Sequence, residues 1–251
     1  MVFSLASVCI SYIFGMIVST LYIQNLKLVG AGFFWMMWLT QITLGALAFV
    51  TSIGTEKWLS LVVVLVCSTS FALAVANRKL SKSLFPKSEI AGYLISSAVL
   101  ILLMILMANS SVDGFKVAVE SARLIVGGLL LGIVTTTMLL GHWYLVQPGL
   151  TRKPISKMCI ACIWILLLQI GLWLLPMSML SVFTGEVSDG WGGTLGYMWI
   201  GSCLTTGALL FVAYKALQEK SYSAVMATTG LLYLAILVVN GVELIPRAIF
   251  S

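Results

Sequence analysis

The sequence predicts an all-α integral membrane protein, a bundle of about eight transmembrane helices with both termini outside. Three observations carry that expectation. Hydrophobic residues make up 61% and charged residues 9% of 251 residues, against roughly 45–50% and about 25% in a soluble domain, and the mean hydropathy is +1.10. The apolar residues fall in continuous runs of the length that crosses a bilayer core about 30 Å thick. Lysine and arginine collect on one side of those runs.

The runs cover 2–24, 30–52, 58–77, 90–108, 122–147, 158–180, 195–215 and 223–244. They lack the strict alternation of a transmembrane barrel, and a lipid-exposed backbone must satisfy its own hydrogen bonds, so each reads as a helix. No basic segment precedes the first run, and Lys27 follows it; the run is expected to stay as a helix, not to be removed as a signal peptide. Connections such as "NLKLVGAG", "SIGTEKW" and "QEKSYS" leave no room for a soluble domain, so residues 1–251 are expected to form a single bundle.

Basic residues are retained on the cytoplasmic side during insertion. With the N-terminus outside, the inner connections carry Lys27, Arg78, Lys79, Lys82, Lys87, Arg152, Lys153, Lys157, Lys215 and Lys220, ten of the fourteen basic residues. The outer segments carry Glu56, Asp113, Glu120, Glu186, Asp189 and Glu243, six of the eight acids. The net charge of +6 then reflects topology beside anionic headgroups and gives no indication of nucleic acid as a partner.

His142, the only histidine, lies in "TTTMLLGHWYLVQPGLTRKP" on the fifth run, about ten residues before Arg152. Helical spacing places it on a stripe with Met138, Thr135, Gly132 and Gly128, and the last two form a small-xxx-small pair that allows close backbone approach. The stripe is therefore expected to face protein or a bound molecule. Within a membrane such a residue is a functional candidate by default. An imidazole there can tie two helices together, hydrogen-bond a quinone carbonyl, relay a proton, or serve as an axial metal ligand to haem or a chlorophyll-type pigment. Thr135, Trp143 and Tyr144 are its neighbours in a cofactor-binding reading. A lone histidine excludes bis-histidine haem within this chain.

Two further features compete. "MCIACIW" places Cys159 and Cys162 in a C-x-x-C at the start of the sixth run; a thiol pair can be redox-active, but all five cysteines read first as small apolar residues. In "VVNGVELIPRAIF", Glu243 and Arg247 are four apart and pair if the helix continues past Pro246, with Asn240 one turn away. The expected role is an interfacial cap with a snorkelling arginine, the alternative an outer quinone or proton-uptake site. The loop "SVFTGEVSDGWGGTLGYMW" supplies Trp191, Tyr197 and Trp199 to an aromatic belt, and Asn109–Ser111 matches a glycosylation sequon.

The interior offers amides such as Gln41, Gln169 and Asn240 but few charges, which disfavours an ion-coupled carrier. There is no H-E-x-x-H or G-x-S-x-G motif. Eight helices with both ends outside resemble the quinol-binding anchor subunits of the polysulfide and dimethyl sulfoxide reductase class, in architecture and not in any motif. That resemblance implies a multi-pass subunit of the cytoplasmic (inner) membrane, anchoring an electron-transfer complex or contributing a quinone site to it. Its partners would be lipid and other membrane or peripheral subunits, and it would not be catalytic alone. The competing readings are a carrier or channel for a small neutral solute and a structural subunit with no ligand. Topology reporters fused after residues 80, 155 and 218 should all report the cytoplasm; an outside signal at any of them overturns the orientation.

Overall fold

The computed structural model describes residues 5–26, 28–52, 94–102, 104–105, 114–147, 149–175, 178–219 and 221–250. Among them every regular element is helical: α1 (Leu5–Leu26), α2 (Ala31–Ser52), α3 (94–102), α4 (Gly114–Val146), α5 (Lys153–Leu174), α6 (Ser178–Phe183), α7 (Thr194–Ala216) and α8 (Tyr222–Ile249). Six of these, α1, α2, α4, α5, α7 and α8, are long and apolar enough to cross a bilayer, and they mark a multi-pass membrane protein. The expected run at 58–77 and the sequon at 109–111 lie outside the described residues, and only part of 90–108 is described.

Boundaries differ from expectation in three places. The run expected at 158–180 is α5, which begins at Lys153 and ends at Leu174, followed by the short α6. Helix α4 begins eight residues earlier, taking in Lys116 and Glu120, and its 33 residues extend about 50 Å at 1.5 Å per residue. Helix α8 runs through Pro246 to Ile249. The chain divides into two compact units, with the division between Gly132 and Ile133 inside α4.

In the first unit Ala6, Cys9, Ile10, Ile13 and Ile17 of α1 form a core with Ala48 of α2, Leu100 of α3 and Leu124 of α4. Where α1 meets α4, glycine is obligatory. A Cβ on Gly15 would lie 2.6 Å from the carbonyl carbon of Gly128, and one on Gly128 would lie 2.6 Å from the carbonyl carbon of Ser11. The small-xxx-small pair thus brings backbone against backbone, with Gly132 also set against Gly15. The hydroxyls of Ser19 and Thr20 donate to the carbonyls of Gly15 and Met16 on their own helix, so α1 keeps polar residues in its buried face at little cost.

The second unit contains the end of α4 with α5 to α8. Pairs Trp199/Val242, Ser202/Gly241 and Ala213/Thr228 place α7 antiparallel to α8. Small groups again set the approach: a Cβ on Gly241 would be 2.6 Å from Ser202 Oγ, and Thr228 Oγ1 donates to the Ala213 carbonyl at 3.2 Å.

The glycine-rich loop before α7 is built around Asp189. Its Oδ1 accepts the N–H groups of Trp191 and Gly193 at 2.9 and 2.8 Å, and its Oδ2 accepts that of Leu195 at 2.9 Å. Gly190 and Gly192 on either side of Trp191 have φ of 74° and 64°, backbone that other L-residues avoid. The carboxylate thereby satisfies a donor in the first turn of α7 and sits favourably at the positive end of its dipole. The Gly193 amide above all, with those of Trp191 and Leu195, holds the Asp189 carboxyl below the usual carboxylate range. Because the folded value is the lower one, this contribution is present above the unfolded pKa and is lost as pH falls through the folded one.

Gly128→Leu should separate α1 from α4 and destabilise the first unit by about 1–3 kcal/mol or more, as overpacking does. Unfolding in detergent measures it; a variant as stable as wild type would show that the backbones do not meet there.

Candidate functional site

The site starts from a proline. Pro246 has no N–H, so the carbonyl of Val242, four residues earlier in α8, loses its helical donor. Trp199 of α7 supplies a replacement: its Nε1 donates to Val242 O at 3.2 Å, and its ring is buried. The helix therefore continues past the proline and carries Arg247 onto the same face as Glu243, one turn away.

Arg247 donates to Glu243 Oε1 through Nε at 2.7 Å and also through Nη2. Gln169 of α5 donates through Nε2 to Glu243 Oε2 at 2.7 Å. With three donors on its two oxygens and no acceptor in need of a proton, Glu243 is bonded as a carboxylate. The group is enclosed: Glu243 and Gln169 are 0% exposed and Arg247 is 6% exposed. Beside it, Trp173 of α5 stacks on Phe250 with ring centroids 6.3 Å apart.

The pair expected from the spacing of Glu243 and Arg247 is thus formed, but its environment differs from the expected cap. The arginine does not snorkel, because the neighbouring helices cover it. Asn240 does not join; its Nδ2 donates to Ile236 O on its own helix at 2.7 Å. Its place is taken by Gln169, 74 residues away in sequence. The signals for that partnership were an amide in an otherwise apolar run and a proline that exposes a carbonyl, but neither states which helices adjoin.

The residues named around His142 differ in burial and in partners. Thr135 is buried two turns before His142, and Tyr144 is buried with its hydroxyl donating to Thr151 O, which ties the 147–152 connection to α4. Trp143 is half-buried and its Nε1 donates to Gln147 Oε1 at 3.1 Å. His142 is exposed and, among the described residues, makes no hydrogen bond. At this end of α4 the covered face has rotated to Gly141 and Tyr144; a Cβ on Gly141 would lie 2.7 Å from Thr229 Oγ1. The helix ends at Val146, four residues or about 6 Å beyond His142, so the imidazole is nearer the helix end than its distance from Arg152 implies.

Cys159 and Cys162 are free and fully buried, with Cys162 Sγ 3.8 Å from Thr137 Oγ1 of α4. They pack α5 against α4. Among the described residues no group of three or more His, Cys, Asp or Glu stands together to hold a metal. Comparison with protein families, curated proteins and solved structures finds no match to this chain.

Arg247→Met, which strands the Glu243 carboxylate in a low-dielectric setting, should cost about 3–5 kcal/mol. Replacing both partners, Glu243→Leu with Arg247→Met, should cost only about 1–3 kcal/mol, the loss of an acceptor for Gln169. Denaturant unfolding in micelles compares them; equal losses would mean that the two charges are not paired in a buried setting.

Proposed function

We propose that the chain is a subunit of a larger membrane assembly for electron transfer, with eight helices and both termini outside the cytoplasmic membrane. In this reading it anchors its partners and contributes His142 to a site for a lipophilic cofactor, a quinone in preference to haem or a chlorophyll-type pigment. One observation carries the reading: the chain's single imidazole lies on the outer surface of a helix in an apolar protein, with no hydrogen-bond partner among the described residues. A neighbouring subunit or a molecule dissolved in the bilayer would complete a polar N–H in that position.

The placement argues against a histidine that only ties two of the described helices together, since such a residue would be covered and bonded. Trp143, held by Gln147, offers a flat apolar surface next to it. Thr135 and Tyr144, buried in the helix packing, support the local structure and would not touch the ligand. A quinone carbonyl accepting from the imidazole requires only one N–H and an apolar approach, which an exposed helix face provides.

His142→Leu should leave insertion and thermal stability close to wild type while removing bound quinone or a partner subunit on purification in mild detergent. Solvent extraction of lipophilic molecules, a visible absorption spectrum and the subunit composition read the outcome. Unchanged cofactor and partners with lowered stability would contradict the reading, and solute flux by the isolated chain in liposomes would favour a carrier.

A further inference from the structure

Helix α5 is covered on one side only. Ile155, Cys159, Cys162, Leu166, Gln169 and Trp173 are buried and fall on one half of the helix at 3.6 residues per turn. The opposite half carries Lys153, Lys157, Ile160, Trp164, Leu167 and Leu168, all exposed, with Trp164 at 67%. Their spacings of three and four residues line them up in one stripe along the helix. Gly171 continues the stripe as a notch, where a Cβ would meet nothing within 4 Å.

The charges of this stripe stand at one end and have nothing to balance them. Lys153 and Lys157 form no ion pair among the described residues, and the first turn of α5 contains no acid. Arg152 at the N-cap adds a third cation, held by donating to Glu219 O. Like charges four apart on a helix repel, and cations at its N-terminus oppose the dipole. An anion beside the two lysines relieves both penalties.

The rest of the stripe is apolar to a definite depth. Leu168 lies 11 residues beyond Lys157, about 16 Å along the axis, close to the hydrocarbon depth of one leaflet, half of about 30 Å. A soluble anion would answer the lysines alone, and a zwitterionic lipid the apolar track alone. An anionic phospholipid answers both. We propose that this face of α5 binds one anionic diacyl phospholipid, its phosphate at Lys153 and Lys157 and an acyl chain laid along Ile160, Trp164 and Leu168. His142 is on α4, so the inference stands whether or not that residue binds a cofactor.

The test is photo-crosslinking of the full chain in phosphatidylcholine nanodiscs. A trace of phosphatidylglycerol, or of phosphatidylcholine, carries a diazirine in one acyl chain, and mass spectrometry of peptides reads the labelled residues. Each lysine near the membrane surface is worth about a fivefold preference for an anionic lipid, so the phosphatidylglycerol probe should label residues 160–171 about 30-fold more than the phosphatidylcholine probe. Lys153→Gln and Lys157→Gln should each lower that excess about fivefold and together abolish it. Both side chains are exposed, so the variants should fold, and labelling of the exposed Leu234 and Leu237 on α8 should not change. Equal labelling of 160–171 by the two probes, an excess that survives both substitutions, or crosslinks from Trp164 to a protein in place of lipid would each overturn the proposal.

Discussion

The missing N–H of Pro246 is the constraint from which the second unit is arranged. An unsatisfied carbonyl in a membrane-spanning helix is costly because no water is at hand to accept the burden. The Trp199 indole satisfies it, and to do so α7 must lie against α8 at that level. Gly241 and Ser202 permit the approach. Once α8 continues past the proline, Glu243 and Arg247 share a face, and the buried carboxylate draws in Gln169 from α5. Three helices are thus joined at one end of the unit through polar groups that each answer a specific deficit.

The same constraint explains why most polar residues in the apolar helices are not sites. Thr40, Thr43, Thr137, Thr229 and Asn240 donate to carbonyls four residues earlier on their own helices. Such residues are satisfied locally and require nothing from a neighbour. Bonds that cross between helices, such as those from Gln169 to Glu243, Trp199 to Val242 and Thr228 to Ala213, specify packing. Interhelical hydrogen bonds in membranes average about 0.6 kcal/mol; an ion pair in the same place is different in kind, since losing one member leaves a charge that the interior cannot solvate.

Helical class and membrane residence were legible because they depend on composition and run length, which are local. Gly128 and Gly132 announced a close backbone approach by their spacing alone; on the other side Gly15 stands between Ser11 and Ser19 at the same four-residue spacing, but spacing does not say which two such stripes meet. The ends of α4 and α8 were harder. Lys116, Glu120 and Arg123 look like a boundary, yet charges three and four apart are tolerated on one helix, and a proline ends a helix only when its freed carbonyl finds no other donor. His142 shows the limit of reading a stripe. The periodicity through Gly128, Gly132 and Thr135 is real, but whether a face is covered depends on where the neighbours stop. Gln169 was visible as an isolated amide, and its partner was not, because nothing local links residue 169 to residue 243.

The account centres on an ionised, paired carboxylate inside a membrane-spanning unit. Infrared difference spectroscopy with ¹³C-labelled glutamate side chains, wild type minus Glu243→Gln at neutral pH, addresses it directly. Loss of carboxylate stretching bands without loss of a protonated carboxyl band is the result predicted by the bonds from Arg247 and Gln169. Loss of a protonated carboxyl band would contradict the ion pair and, with it, the arrangement of α5, α7 and α8 around it.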